Sequence, residues 1–433
     1  MWNCIVAIQN YKLTPEELQD LQNRKLRRIL RHAYEQVPFY RKRFRSANLT
    51  PDDIKSTDDL RRLPTITRGE IVSEWGSIIA IGNGDAYIQR LTSGTTGKPL
   101  RILRDSKSVD HHVGLGLRNY YLLGIMPWFK ASRVILGSNA QQDNVDSGGG
   151  STLHKNIRKV VIGPWLPRLR VPRSRTMSFR QNVAEVAPRL LQYRPDFLMS
   201  RPSYLIGLAD WFDGNGKKLM VRKILCEAEY LSQNSRNTIE RVFGGEVYNA
   251  YGTNELGMLG SECRQHSMHI FSDYFAFEVL KDGEPVAPGE RGDVIITGLD
   301  NEKMPLIRYE QGDIAIPENG ISCQCGSSFP RLRTIEGRKN DGLILPGGQR
   351  IPPGEIIDYA EGVAGLRRYQ VIQENVNRVI VRTTEQDEKA SAILVTYLRE
   401  LFGSDFTVDV QFESKDSFVR FAGKNRPVIS QIG

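Results

Sequence analysis

The sequence predicts an α/β protein with a large N-terminal region, built from parallel sheets with helices plus an antiparallel, barrel-like part, and a small α+β unit at the C-terminus. Three observations carry this. From about residue 130, short apolar runs (132–136, 196–199, 223–226) alternate with a helical pattern (203–212), as in a parallel sheet covered by helices. Beyond Phe275 the strand patterns crowd together and the turns are rich in Gly and Pro (Lys281-Asp282-Gly283, Pro288-Gly289, Gly298), which predicts an antiparallel appendage. After about Gly337 the composition changes again, and a Gly- and Pro-rich stretch over 345–354 opens a unit of roughly 95 residues, large enough for a separate small domain.

Taken in order, Thr14-Pro15-Glu16-Glu17 supplies a helix N-cap, an N1 proline and a capping-box glutamate. Leu18, Leu21, Leu26, Ile29, Leu30 and Ala33 follow at helical spacing, and the helix stops before Pro38. Thr50-Pro51-Asp52-Asp53 and Ser56-Thr57-Asp58-Asp59 repeat the start chemistry for shorter segments. Residues 141–151 are polar, end in three glycines and read as a mobile surface loop. The C-terminal unit reads as strand (369–373), turn, strand (378–383), helix (388–401) and strand (406–412).

Composition narrows the function classes. With 433 residues, 40% hydrophobic and 25% charged, the chain is neither disordered nor a disulfide-stapled miniprotein. Its apolar runs are short and its start lacks the features of a leader, so a cytoplasmic protein without a membrane span is expected. Lys plus Arg (59) minus Asp plus Glu (50) gives +9, which admits nucleic acid, an anionic membrane or a phosphorylated small molecule as partner. The excess is uneven: no acid lies between Asp146 and Glu185, while Lys155, Arg158, Lys159, Arg168, Arg170, Arg173, Arg175 and Arg180 accumulate there. This stretch is either a solvated face or a contact for an anionic substrate or carrier. Five cysteines are too few for a disulfide scaffold and direct attention to metal or catalysis.

The sharpest segment is Leu91-Thr92-Ser93-Gly94-Thr95-Thr96-Gly97-Lys98-Pro99. Glycines, hydroxyls and a lysine in so short a loop can surround phosphate oxygens with backbone and side-chain donors. It is not a Walker A loop, because Thr92 and Pro99 stand where that motif needs Gly and Ser or Thr.

This segment resembles the phosphate-binding loop of the adenylate-forming superfamily of acyl-CoA synthetases, adenylation domains and luciferases. The superfamily's other motifs follow in order. Tyr251-Gly252-Thr253-Asn254-Glu255 resembles the aromatic-Gly-x-Thr-Glu motif, and Arg308-Tyr309-Glu310-Gln311-Gly312-Asp313 the ribose-binding motif. Gly337-Arg338-Lys339-Asn340-Asp341 is similar to the hinge motif and Gly423-Lys424-Asn425-Arg426 to the terminal Gly-Lys motif. The length, Val37-Pro38-Phe39-Tyr40 and Pro305-Leu306-Ile307-Arg308-Tyr309 resemble the phenylacetate-CoA ligase branch and its CapK capsular polysaccharide relatives.

The resemblance implies an adenylation domain over 1–336 and a mobile lid over 337–433, with ATP, Mg²⁺ and coenzyme A as partners of a carboxylic acid substrate. It implies that Thr92, Ser93, Gly94, Thr95, Thr96, Gly97 and Lys98 hold the β- and γ-phosphates. Glu255 would bind Mg²⁺, Asp313 the ribose hydroxyls with Arg338 nearby, and Tyr251, beside Gly252 and Thr253, would stack on adenine. Lys424 would reach in from the lid, and Asn340 would act as the hinge. Two residues depart from the pattern: Asn254 offers an amide where Thr is usual, and Asn340 replaces Asp or Lys. Charge built up by attack on the α-phosphate needs aligned donors, a cation and a metal, so these residue types suit the role. Taken singly, Asp313 also fits a Gly-Asp turn, Tyr251 the core and Lys424 an exposed tail.

Cys263, Cys323 and Cys325 with His269 form a Cys₃His set suited to a closed tetrahedral zinc site; His266 is the competing ligand and the resemblance favours His269. The expected activity is acyl-adenylate formation followed by thioester formation with coenzyme A. The alternative within enzymes is an amide or ester ligase, or a carrier-loading enzyme, in polysaccharide or secondary-metabolite biosynthesis. A zinc-containing nucleic-acid-binding protein is the alternative outside enzymes, but the basic cluster carries only Trp165 and Phe179, so no nucleic-acid partner is expected. Relatives tend to dimerise, which makes a homodimer one assembly the resemblance allows.

Overall fold

The computed structural model describes residues 2–81, 87–91, 100–125, 133–137, 174–320, 323–366, 368–384, 387–403, 406–413, 420–421 and 424–432. The 92–98 loop, the 141–151 segment, the basic cluster up to Arg173 and Gly423 lie outside the described residues.

Helix α1 (Trp2–Asn10) opens the chain. The capping box then starts α2 (Pro15–Gln36), with Thr14 accepting from the Glu17 amide and Glu17 accepting from the Thr14 amide. Pro38 ends it by disfavouring helical backbone at Val37, and the same proline serves as N1 of α3 (Pro38–Ser46). The two acidic repeats open short 3₁₀ helices, Pro51–Asp53 and Thr57–Arg62, and Thr67 caps the short α4 (Arg68–Ser73). Strands β1 (Tyr87–Leu91) and β2 (Arg101–Asp105) pair antiparallel up to Leu91 and Arg101, so the 92–99 segment connects the two ends of a hairpin. Asp105 caps α5 (Ser106–Leu122).

The alternating pattern then builds the parallel half of a sheet: β3 (Arg133–Gly137), β4 (Ser174–Ser178), α6 (Val183–Tyr193), β5 (Phe197–Ser200), α7 (Pro202–Gly214), β6 (Lys223–Glu227), α8 (Gln233–Phe243) and β7 (Glu246–Thr253). The antiparallel half comprises β8 (Gly257–Glu262), β9 (Met268–Ile270), β10 (Phe275–Lys281), β11 (Glu284–Pro285), β12 (Gly292–Gly298), β13 (Tyr309–Pro317) and β14 (Arg331–Arg338). The sequence reading of this half as an appendage is corrected here. Strand β8 pairs with β7, and all the strands from β3 to β14 form one twelve-stranded sheet in the order β11-β10-β12-β13-β14-β9-β8-β7-β6-β5-β3-β4. Turn chemistry marks where strands end, and it is silent on which edge they join.

The parallel half buries Val134, Leu198, Ile224 and Val247 against α6, α7 and α8. The antiparallel half shares a second core with α2 and α3, including Leu26, Ile29, Phe44, Leu259 and Phe275. Arg118 of α5, fully buried, donates to Ala7 of α1 and to Asp273, which also accepts from Asn10 at 2.9 Å.

From Leu343 onward a third core forms around Ile356, Val371, Val379 and Leu394. Its elements are β15 (Leu343–Ile344), β16 (Arg350–Ile351), α9 (Pro353–Gly362), β17 (Tyr369–Asn375), β18 (Arg378–Thr383), α10 (Glu388–Phe402), β19 (Thr407–Phe412), β20 (Arg420–Phe421), β21 (Lys424–Asn425) and β22 (Val428–Ser430). The sheet order is β19-β18-β17-β22. Helix α9 lies on α8 and β14, which docks this unit onto the large one. Among the described residues no helix is long and apolar enough to cross a membrane.

Candidate active site and metal centre

Strand β7 ends in Tyr251, Gly252 and Thr253, which pair with β8. A Cβ on Gly252 would lie 2.8 Å from the Gly257 carbonyl, so only glycine lets β7 and β8 approach this closely. The Tyr251 hydroxyl donates to Asp313 Oδ2 at 2.7 Å, and Arg338 Nε lies 3.0 Å from Asp313 Oδ1. Asp313 and Arg338 face each other in the β13–β14 register, and Arg338 also donates to the Gln311 carbonyl at 2.7 Å. Burial, together with the neighbouring Asp313 charge, pushes the Tyr251 hydroxyl well above its ordinary value, so it remains a donor.

Thr253 Oγ1 caps the following turn by accepting from the Leu256 amide at 3.0 Å. Glu255 is 6% exposed, with its carboxylate 3.3 Å from Arg68 Nη1. Buried Arg104 on β2 donates to the carbonyls of Asn254 and Glu255, both at 3.1 Å, and fixes the turn that presents the carboxylate. Arg68 is delivered by the segment before α4, where Ile66 bridges the chain at Tyr309 through hydrogen bonds with Arg308 and Glu310. Arg308 holds left-handed backbone (φ 52°), its guanidinium bound to Glu278 at 3.0 and 3.1 Å.

Asn249, two residues before Tyr251, faces the same side of β7. There a cavity of about 550 Å³ opens among Tyr230, Gln233, Arg236, Asn249, Glu262 and Ile335. Asn249 lines this cavity; its side-chain oxygen is buried and accepts no hydrogen bond from the described residues. Through its hydroxyl, Tyr251 thus brings the Asp313 carboxylate of β13 to the end of β7, where the next turn carries the buried Glu255.

Lys424 lies on β21 of the small unit, which pairs with β20; the next residue's amide, that of Asn425, donates to Glu229 Oε1 at 3.0 Å. The Lys424 side chain lies outside what is described, as do Thr92, Ser93, Gly94, Thr95, Thr96, Gly97 and Lys98. Asn340 sits within a 3₁₀ turn, Lys339–Asp341, while the left-handed backbone of this segment falls on Gly337 (φ 94°). Arg68, Arg104 and Asn249 escaped the sequence reading. The capping box at Thr67 marked a helix start, and nothing local marked the approach of Arg68 to Glu255.

A second cluster lies where β8, β9 and the segment before β14 meet. One ligand atom each from Cys263, His269, Cys323 and Cys325 falls within 4.8 Å of every other. Cys263 Sγ and Cys323 Sγ are 3.8 Å apart, and Cys325 Sγ is 3.3 Å from His269 Nε2. Zinc–sulfur bonds of about 2.3 Å give tetrahedral edges of about 3.8 Å, so the spacing suits that ion. Burial lowers His269 to about 4, so its ring is neutral; Nδ1 lies 3.2 Å from the Phe329 carbonyl, which leaves Nε2 as the ligand atom. The Tyr11 hydroxyl is 2.9 Å from Cys325 Sγ. His266 is outside the cluster, stacked on Tyr248 with ring centroids 4.8 Å apart.

No protein-family model matches the chain. The phenylacetate-coenzyme A ligase of Escherichia coli is 29% identical over 367 residues, covering 80% of this chain and 78% of that protein. Its counterpart in Thermus thermophilus is 28% identical over 345 residues, covering 77% and 73%. The chain is a relative of the phenylacetate-coenzyme A ligases. Among solved structures, 2-hydroxyisobutyryl-CoA ligase in complex with 2-HIB-AMP, in its postadenylation state, superposes with a TM-score of 0.75 at 20% identity, covering 98% of this chain and 92% of that one. The large mixed sheet with a small C-terminal unit is the fold of the adenylate-forming enzymes.

Proposed function

We propose that the chain is an ATP-dependent acid–coenzyme A ligase. It joins a carboxylate to AMP with release of pyrophosphate, then transfers the acyl group to the coenzyme A thiol with release of AMP. The observation that carries this reading is the convergence of Tyr251, Asp313, Arg338 and Glu255, drawn from three separated motifs, in a relative of the phenylacetate-coenzyme A ligases. Asp313 accepts from the ribose hydroxyls, Asn249 from the adenine amine, and the hydroxyls and lysine of 92–98 hold the phosphates.

Glu255, a single buried carboxylate, suits Mg²⁺, which commonly takes one or two carboxylates and completes its shell with phosphates and water. When bound, the ion supplies positive charge to the phosphates. Zinc fits the Cys₃His cluster as a structural ion that ties Cys263 and His269 to the Cys323–Cys325 segment, and four protein ligands would leave it no open position for chemistry. Residues 1–336 act as the adenylation domain and 337–433 as a lid that delivers Lys424 for the first step and withdraws it for the second. The reaction belongs in the cytoplasm, where ATP and coenzyme A are supplied.

The test is acid-dependent pyrophosphate exchange across a panel of carboxylic acids that includes phenylacetate, followed by thioester detection with coenzyme A. Lys424→Ala is expected to lose exchange yet still form thioester from preformed acyl-adenylate. Absence of exchange with every acid would sink the ligase reading, and undiminished exchange in the variant would remove Lys424 from the first step.

A further inference from the structure

Three carboxylates repeat at three-residue spacing along one face of α9: Glu355, Asp358 and Glu361. Each reaches across to the large unit. Glu355 pairs with Arg291 at 2.7 Å, Asp358 accepts from the Tyr230 hydroxyl at 2.6 Å, and Glu361 accepts from Ser232 and, at 2.7 Å, from Ser235 at the start of α8.

Tyr230 differs from the other partners in belonging to two places at once. Ala228 takes left-handed backbone (φ 69°) just past β6, a costly conformation for a residue with a Cβ, and the turned chain carries Glu229 and Tyr230 toward the small unit. There the Tyr230 ring joins the edge of that unit's hydrophobic core. It lies so close to Gly354 that a Cβ on that glycine would come within 3.1 Å of two ring carbons. The same side chain, with Asp358, forms part of the wall of the cavity that Asn249 lines, and the Asn249 oxygen is buried without a partner among the described residues.

We propose that Tyr230 is a positioning residue that couples lid docking to the nucleotide cavity: α9 grips its ring at Gly354 and its hydroxyl at Asp358, which completes the cavity wall only while the lid is docked. This rests on the ligase reading for the identity of the ligand, while the coupling itself is a property of the ligand-free protein. By reciprocity, a nucleotide that favours the formed wall favours the docked lid to the same extent. Rotation of the lid for the second step removes both grips, loosening the wall when AMP has to leave.

The experiment compares Tyr230→Phe, Asp358→Asn and the double variant in two half-reactions and in hydrogen exchange without ligand. A hydrogen bond to a charged acceptor sets the size of the effect, so each single variant is expected to raise the ATP KM for pyrophosphate exchange about tenfold. Transfer from preformed acyl-adenylate to coenzyme A is expected to stay within about twofold, since the lid has by then left Tyr230. The double variant is expected to match the worse single one. Asp358→Asn is also expected to speed amide exchange over residues 228–237, on the opposite side of the seam. Additive variants, an unchanged KM, or equal losses in both half-reactions would overturn the proposal. If no acid supports exchange in the wild type, the ligase reading fails alone; unchanged amide exchange over 228–237 in Asp358→Asn overturns the coupling whatever the substrate is.

Discussion

Replacing Cys323 with Ser tests the metal centre most directly. The cluster joins positions 60 residues apart, Cys263 and Cys323, and holds them beside α1 through Tyr11. Treated as a cross-link, closure of a loop of that length removes denatured-state entropy worth about 4 kcal/mol. For a cooperative unit of about 340 residues, with an unfolding entropy of about 0.7 kcal/mol/K, this amounts to a fall in Tm of about 6 °C. Elemental analysis of the wild type is expected to find one zinc per chain, and Cys323→Ser to lose it. A strong chelator is expected to lower the wild-type Tm by a similar amount and to leave the variant unmoved. Cys226→Ser, which alters a buried thiol of β6 outside the cluster, is expected to retain its zinc. Metal-free wild-type protein prepared without chelator, or a full equivalent of zinc in Cys323→Ser, would refute the reasoning.

Two further outcomes follow from buried arginines. Arg104→Met removes both hydrogen bonds, donated by Nη2, that fix the Asn254–Glu255 turn, and a misplacement of about 1 Å is expected to lower the rate of pyrophosphate exchange about 100-fold, with partial recovery in Arg104→Lys. Arg118→Met strands Asp273: burial alone would raise that carboxyl, but Arg118 and Lys25 outweigh it and hold it below its ordinary value. Because the folded value is depressed, the pair's contribution is full above about pH 4 and fades as pH falls through the folded value. Denaturant unfolding at pH 7 is expected to show a loss of about 3–5 kcal/mol in Arg118→Met, narrowing in acid where Asp273 is protonated; a pH-independent loss would count against this account.

Local chemistry made some of this structure legible. The capping box at Thr14 and the proline at 38 placed both ends of α2, because a cap and a ring constraint act within a few residues. Helix α1 carries no such mark: it lacks charge in its first and last turns, and it is held by Arg118 and Asp273, more than a hundred residues away. The same distinction holds at the metal cluster. Spacing identified the three cysteines but left two histidines, and the choice is made by backbone geometry. His269 lies on β9 opposite Arg331 and faces the thiols, whereas His266 occupies a left-handed turn (φ 54°) that lays its ring on Tyr248. Arg68, Arg104 and Asn249 act through approach in space, so no run of residues announces them.

On the proposed ligase reading, the arrangement around Asp313 would set which way the nucleotide lies. Each carboxylate oxygen already has one donor, Tyr251 on Oδ2 and Arg338 on Oδ1, so the group cannot turn. A carboxylate offers about four acceptor sites, and two therefore remain for incoming hydroxyls. Asn249 adds an acceptor with no partner among the described residues. This end of the site is rich in acceptors and matches the donors of adenosine, its two ribose hydroxyls and its exocyclic amine. The 92–98 segment has the opposite character, with hydroxyls, backbone amides and Lys98 able to donate, and it connects strands that end at Leu91 and Arg101. Arg104, three residues past that junction, holds the turn bearing Glu255. On the proposed ligase reading, the acceptors at Asp313 and Asn249 would take the adenosine end of ATP, and the donors in the 92–98 sequence would take its phosphates.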